Sequence, residues 1–259
     1  MRPPPPIIPR VHARFYAPDA RASGELVALP DDEAQHLTRV LRLKAGDAVR
    51  VFNGHGSEFN AAIEEAANTG VRVRVGARCT AAPEARVAIT LAQAVLKGDK
   101  MDNVVRDAVM IGAAAIQPIL TARSEVTRAT IERGHRLERW HRIAISSAKQ
   151  CGRAVVPRVH EPIPLDALTE AVATMQLPSP AYMLVEPAAS AGAMSLTDVD
   201  ETAPEEAAVI VGPEGGWTQQ EIEAASDRCH LLTLGTRTIR ADVMSLVGLA
   251  ALFGRWKEF

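Results

Sequence analysis

Apolar and polar residues alternate at two different periods along this chain, and the period changes near residue 83. Before that point the pattern is mostly two-residue. Val49-Arg50-Val51-Phe52 alternates and closes on Asn53-Gly54-His55-Gly56, a turn across which Ser57–Ile63 can pair back as a hairpin. Val71-Arg72-Val73-Arg74-Val75 puts valines on one face and arginines on the other, the signature of a half-buried antiparallel strand showing positive charge to solvent. Upstream, Pro30–Leu37 reads as the start of a helix. Asp31 is its expected N-cap, and acids in its first turn suit the helix dipole. Leu37, Val40 and Leu41 would form its buried stripe, with Arg39 and Arg42 on the other side.

After a break at Ala81-Ala82-Pro83-Glu84 the chain alternates strands with helices. Val87–Leu91 is an apolar strand. A helix follows from about Asp99 to Ile111, with Met101, Val104, Val105, Ala108 and Ile111 on one face and Gly112 to stop it. Ala115–Leu120 is a strand, Ile131–Gln150 a single basic helix and Leu165–Met175 another helix. Tyr182–Val185, Ala208–Val211 and Leu231–Leu234 are buried strands. The last helix, about Val243 to Trp256, is apolar nearly all round and must bury itself in the domain or against a partner subunit. The expected fold is therefore α/β: a β-rich domain over residues 1–80, then an α/β domain with a mainly parallel sheet over 84–259.

Composition adds less than the distribution of charge does. The 259 residues carry a formal net charge of −2. Residues 1–160, however, hold 24 Lys+Arg against 16 Asp+Glu, and residues 161–259 hold 5 against 15. A basic front half is a hint of a polyanion partner, and most of the basic residues are Arg, whose planar fork suits phosphate. The competing reading is an Arg- and Ala-rich genome. The three cysteines, Cys79, Cys151 and Cys229, lie far apart with no Cys-x-x-Cys pair. That spacing speaks against a disulfide scaffold or a metal site and fits a reducing cytoplasm. The first ten residues, with prolines at 3–6, read as an extended polyproline-like arm, and no apolar stretch is long enough to span a bilayer.

The candidate chemistry sits at two loops. Ala208–Val211 empties into Gly212-Pro213-Glu214-Gly215-Gly216-Trp217-Thr218, a strand-to-helix junction of the kind where α/β folds bind ligands. It lacks the Gly-Lys-Ser/Thr of a phosphate loop and the glycine spacing of a dinucleotide fingerprint, and Glu214 disfavours phosphate. A tight turn with nothing bound would look the same. Leu234-Gly235-Thr236-Arg237-Thr238-Ile239-Arg240-Ala241-Asp242 is a second such junction. Arg237 and Arg240 could face an anion or pair with Glu214 or Asp242, and the ion pair is the safer expectation. His135 and His141 are six apart, off the spacing of a helical metal pair, and read as surface residues.

These two loops together resemble the SPOUT superfamily, and within it the ribosomal RNA small subunit methyltransferase E family, which methylates uridine N3 of 16S rRNA. Pro9-Arg10, the segment His36–Arg42, Lys97-Gly98-Asp99-Lys100-Met101 and Gln150-Cys151-Gly152-Arg153 resemble that family's segments in the same order. The resemblance implies an N-terminal PUA-like barrel that binds RNA and a SPOUT domain with a trefoil knot. It also implies an S-adenosylmethionine pocket, no metal, and a homodimer acting on 16S rRNA or the assembled small subunit. By the same resemblance Gly212, Pro213, Glu214, Gly215, Gly216, Leu234, Gly235 and Ile239 would line the cofactor pocket, with Leu184, Val185 and Glu186 as its third wall. Arg10, Arg39, Arg42, Lys97, Lys100 and Arg153 would face RNA. Arg240 or Arg10 would steady negative charge on the uracil, and the N3 proton would go to Asp242, to Glu214 or to bulk solvent. The chain departs from the family at Ala241-Asp242-Val243-Met244, where Thr-Glu-Thr-Ala is usual, and at Thr236, Met110-Ile111 and Lys149. That first departure leaves open an RNA-binding protein of this fold with impaired catalysis, and a SPOUT enzyme acting on another RNA position is a further alternative.

Overall fold

The computed structural model describes residues 13–67, 70–189 and 192–259. The proline arm and Arg10 lie outside the described residues. Two compact units divide the chain: one runs to Ala82 and includes Gly152–Val155, and the other holds Pro83–Cys151 and Val156–Phe259.

The first unit is a mixed five-stranded sheet. Its elements are β1 (Arg14–Tyr16), β2 (Leu26–Ala28), α1 (Asp31–Gln35), β3 (Ala48–Phe52), β4 (Glu58–Ala67) and β5 (Gly70–Cys79), ordered β1-β3-β4-β5-β2 across the sheet. Only β1–β3 is parallel. The expected hairpin is there, with Val51 opposite Phe59, and alternation sends Val71, Val73 and Val75 into a core with Phe15, Leu37, Val49 and Val51. The arginines between those valines are exposed but not free. Arg74 forks onto Glu64 with two bonds of 2.6 Å, and Arg72 lies 3.8 Å from Glu65, so that face is largely neutralised.

Two expectations fail around α1. Pro30, not Asp31, occupies the N-cap position, and no side chain caps the helix there. Beyond Gln35 the chain widens into a π-turn over His36–Val40, with Leu41 N–H bonded to the His36 carbonyl at 3.1 Å. A π-turn takes more residues per revolution than an α-helix, so the apolar stripe slips out of phase. Leu37 stays buried, but Val40 is 67% and Leu41 41% exposed.

The second unit is an eight-stranded parallel sheet flanked by helices. Its chain order is β6 (Ala88–Ala94), α2 (Lys100–Ile111), β7 (Ala115–Leu120), α3 (Arg128–Arg133), α4 (Arg136–Cys151), β8 (Arg158–Val159), β9 (Ile163–Pro164), α5 (Leu165–Ala173), β10 (Ala181–Leu184), β11 (Met194–Ser195), β12 (Glu206–Val211), α6 (Gln219–Ser226), β13 (His230–Thr233) and α7 (Ala241–Arg255). Across the sheet the strands run β11-β13-β10-β12-β6-β7-β8, with β9 also on β7. The expected basic helix is broken in two. Thr127 caps α3, Gly134 ends it, and His135 adopts a left-handed φ of 46° before α4 begins. In α2 the side chains of Met101, Val104, Val105, Ala108 and Val109 are buried while Ile111 is only partly so, and Gly112 closes the helix at φ 115°. Helix α7 buries Ser245, Gly248, Leu249, Leu252 and Phe253 and leaves Val243 and Leu246 exposed. Gly248 lets α7 approach closely: a Cβ there would lie 2.6 Å from Leu184 Cδ1, which would have to move.

Candidate active site

Strands β10 and β12 are neighbours, and the loops that leave their carboxyl ends meet the start of α7. Gly212 follows β12 directly. A Cβ on it would come within 2.9 Å of the Trp217 indole, so glycine lets the loop fold back on its own tryptophan. Trp217 Nε1 then donates to the Leu184 carbonyl at 2.8 Å, fastening the loop to the end of β10. Gly216 turns the chain at φ 67°, and its N–H reaches the Pro213 carbonyl at 3.0 Å. Thr218 starts α6 with a reciprocal capping box to Glu221. Glu221 also accepts from Ala122 N–H at 2.8 Å, and Arg123 Nη1 donates to the Gly215 carbonyl at 2.9 Å, so the turn after β7 buttresses the glycine loop.

Between these walls is a cavity of about 340 Å³. Leu184, Val185, Val211, Pro213, Ile239 and Met244 make its apolar lining. Five charged groups also reach it. Lys100 Nζ lies 2.9 Å from Glu214 Oε1, and Arg240 forks onto Asp242 with bonds of 2.7 and 3.1 Å. Glu186 is the fifth, and among the described residues it has no ion pair; the space a Cβ would take on Gly216 is 3.3 Å from its Oε1. Burial alone would raise the Glu214 carboxyl. The hydrogen bond from Lys100, a backbone contribution from its own residue and the Lys97 N–H outweigh that and hold it below its ordinary value.

Of the residues expected in the pocket, Leu184, Val185, Glu186, Gly212, Pro213, Glu214, Gly216 and Ile239 line this cavity, together with Arg240 and Asp242. Gly215, Leu234 and Gly235 do not; Gly215 instead takes the Arg123 bond just described. Val211, Trp217, Thr238, Ala241 and Met244 line it without having been expected. Their only signal was position: Trp217, Thr238 and Ala241 lie within the two glycine loops and Val211 and Met244 beside them. The departures Ala241, Asp242 and Met244 thus stand in the wall itself.

The residues expected to face RNA scatter. Arg39 and Arg42 are exposed on and beyond the π-turn. Lys97 is held by Glu125 at 2.7 and 2.8 Å, which keeps its ammonium above its ordinary value, and Lys100 turns into the cavity. Arg153 is 5% exposed, because Gly152–Val155 is laid along the first unit with bridges to Gly54, His55 and Ala82. Its guanidinium is therefore not offered to solvent as expected. Among the described residues no group of three or more His, Cys, Asp or Glu can hold a metal ion, and no helix is long and apolar enough to cross a membrane.

With a small β unit ahead of a parallel α/β unit whose cavity lies beyond its strand ends, the chain has the two parts of an RNA methyltransferase, as its family matches show. Residues 83–252 match the RNA methyltransferase domain and residues 29–76 the RNA methyltransferase PUA domain. The chain belongs to the ribosomal RNA small subunit methyltransferase E family. It is 30% identical to the Synechocystis member over 87% of this chain and 72% of that protein. Among solved structures it is similar to the Neisseria gonorrhoeae member bound to S-adenosyl methionine, with 31% identity and a TM-score of 0.83 over 95% of this chain and 98% of that one. A putative methyltransferase from Legionella pneumophila, solved with bound SAM, shares 30% identity and a TM-score of 0.84 over 94% and 97%.

Proposed function

We propose that this protein is an S-adenosylmethionine-dependent methyltransferase of small-subunit ribosomal RNA, acting on N3 of a uridine. The observation that carries this is the cavity. Its lining is apolar enough for an adenine and a thioether arm, glycine at 216 leaves the backbone bare beside Glu186, and its carboxylates outnumber its cations. The last point suits a ligand with net positive charge and fits poorly with a polyphosphate.

When bound, the cofactor supplies a methyl group on a positively charged sulfur. The chain's own residues supply the rest. Leu184, Val185, Pro213 and Ile239 would exclude water from the transfer line, and Glu186 is the carboxylate left free for the cofactor's hydroxyl or amino groups. Arg240, fixed in place by Asp242 yet 72% exposed in its side chain, can donate to a uracil carbonyl oxygen as N3 loses its proton. Glu214 is occupied by Lys100, which weakens it as a proton acceptor, and Asp242 is engaged by Arg240. A uridine flipped from its stack would present N3 to this mouth.

The remaining parts of the reading have separate supports. Residues 1–80 would bind RNA through Arg39 and Arg42, and residues 84–259 would carry the cofactor and a trefoil knot. A homodimer is supported by the apolar side chains that α7 leaves uncovered at Val243 and Leu246. A ribosomal RNA substrate puts the work in the cytoplasm. The test is methylation of purified small subunits with labelled cofactor followed by nucleoside mass spectrometry. N3-methyluridine is expected. Another methylated nucleoside in its place would overturn the substrate atom, and no cofactor binding at millimolar concentration by calorimetry would overturn the enzyme.

A further inference from the structure

Strand β6 is buried from Ile89 to Ala94, and two of those residues are polar, Thr90 and Gln93. Gln93 has 0% exposure, and a buried side-chain amide is costly unless its donors and acceptor are all used. Here they are. Nε2 donates to the Ala94 carbonyl at 2.9 Å and reaches the Gly212 carbonyl at 3.4 Å, and Oε1 accepts a short bond from the Ser245 hydroxyl. Ser245, 2% exposed, also lies 3.2 Å from the Ala241 carbonyl one turn back in α7.

The two ends of this link are the two walls of the cavity. Gly212 opens the first glycine loop; Ala241 is the first residue of α7 and lines the cavity beside Arg240 and Asp242. Gln93 and Ser245 do not line the cavity themselves. In register, Gln93 is paired with Val211, the residue before the loop, so the amide is anchored to the strand that launches it. Trp217 ties the loop to β10, and no such side-chain tie to α7 exists among the described residues except through Gln93 and Ser245. An apolar side chain would fill the same space but would leave the spacing of loop and helix unspecified.

We propose that Gln93, acting through Ser245, is a positioning residue that sets the distance between the Gly212 loop and the first turn of α7, and with it the affinity for S-adenosylmethionine. This rests on the reading that the cavity takes that cofactor. The test uses the full chain and three variants: Gln93→Met, Ser245→Ala and the double. Calorimetry gives Kd for S-adenosylmethionine, thermal unfolding gives Tm, and a filter assay without cofactor gives RNA affinity. Each single variant is expected to raise Kd about tenfold, with the double no weaker than about twice either single, because both cut one link. RNA affinity should stay unchanged. A lowered Tm with Kd within twofold of the parent would make the link purely structural and overturn the proposal, as would additive effects in the double. Should Gln93→Met not fold, Ser245→Ala, which deletes one oxygen atom, decides alone. If the parent chain itself binds no S-adenosylmethionine, what fails is the proposed function rather than the link.

Discussion

Arg42 sits at φ 54°, a left-handed backbone that glycine adopts freely and arginine does not. It stands where the π-turn ends: Leu43 N–H reaches back six positions to the Leu37 carbonyl at 3.1 Å, and the left-handed residue just before such a closure is usually glycine. An arginine there keeps an exposed guanidinium at the cost of strain. Arg42→Gly should therefore stabilise the chain by about 1 kcal/mol, seen as a Tm rise of a few degrees. The same variant should weaken RNA binding and lower the salt slope by about one. A Tm rise with no loss of RNA affinity would remove Arg42 from the RNA surface. At Glu214 the prediction concerns acid. Its folded value is depressed, so its contribution to stability is present above the ordinary value of 4.5 and is lost as pH falls through the folded one. Urea titrations below about pH 4.5 should show stability falling, and Glu214→Gln should flatten that limb. Burial also pushes the Cys229 thiol up to about 11, so it should resist thiol reagents at pH 8 until urea unfolds the chain.

Elements were legible wherever the pattern was local. The strand Ala115–Leu120, the valine face of β5 and the stop at Gly112 follow from alternation and one glycine. The π-turn and the break at Gly134-His135 were not legible, because both are local departures from a period that the surrounding residues satisfy. In α7 the sequence showed an apolar helix, but only packing showed why position 248 is glycine. Gly248→Ala drives a methyl toward Leu184, itself a wall of the cavity. It should cost about 1–3 kcal/mol and weaken S-adenosylmethionine binding with it. Unchanged calorimetry alongside lowered Tm would separate that packing contact from the cavity.

At the scale of the whole molecule the proposed homodimer is tested at the uncovered side chains of α7. Leu246→Arg puts a charge among them and should shift sedimentation from dimer to monomer, with little change in far-ultraviolet circular dichroism. A wild-type monomer at micromolar concentration would remove the dimer from the proposal. The front-loaded positive charge that suggested RNA is partly an internal matter: Arg72, Arg74, Lys97 and Lys100 are paired with glutamates, and Arg153 is buried. Formal charge counts residues, whereas a partner meets only the charges left exposed and unneutralised.

Period, glycine position and strand-loop-helix junctions are written in neighbouring residues, and they were enough to give the α/β class, the change near residue 83 and the two loops of the site. The wall of the cavity was not. Gln93 meets Gly212 across 119 positions and Ser245 across 152, and Lys100 meets Glu214 across 114. No local preference encodes such pairings. They exist because β6 lies beside β12 in the sheet, and only the closed fold brings that amide, that hydroxyl and that loop within hydrogen-bond reach.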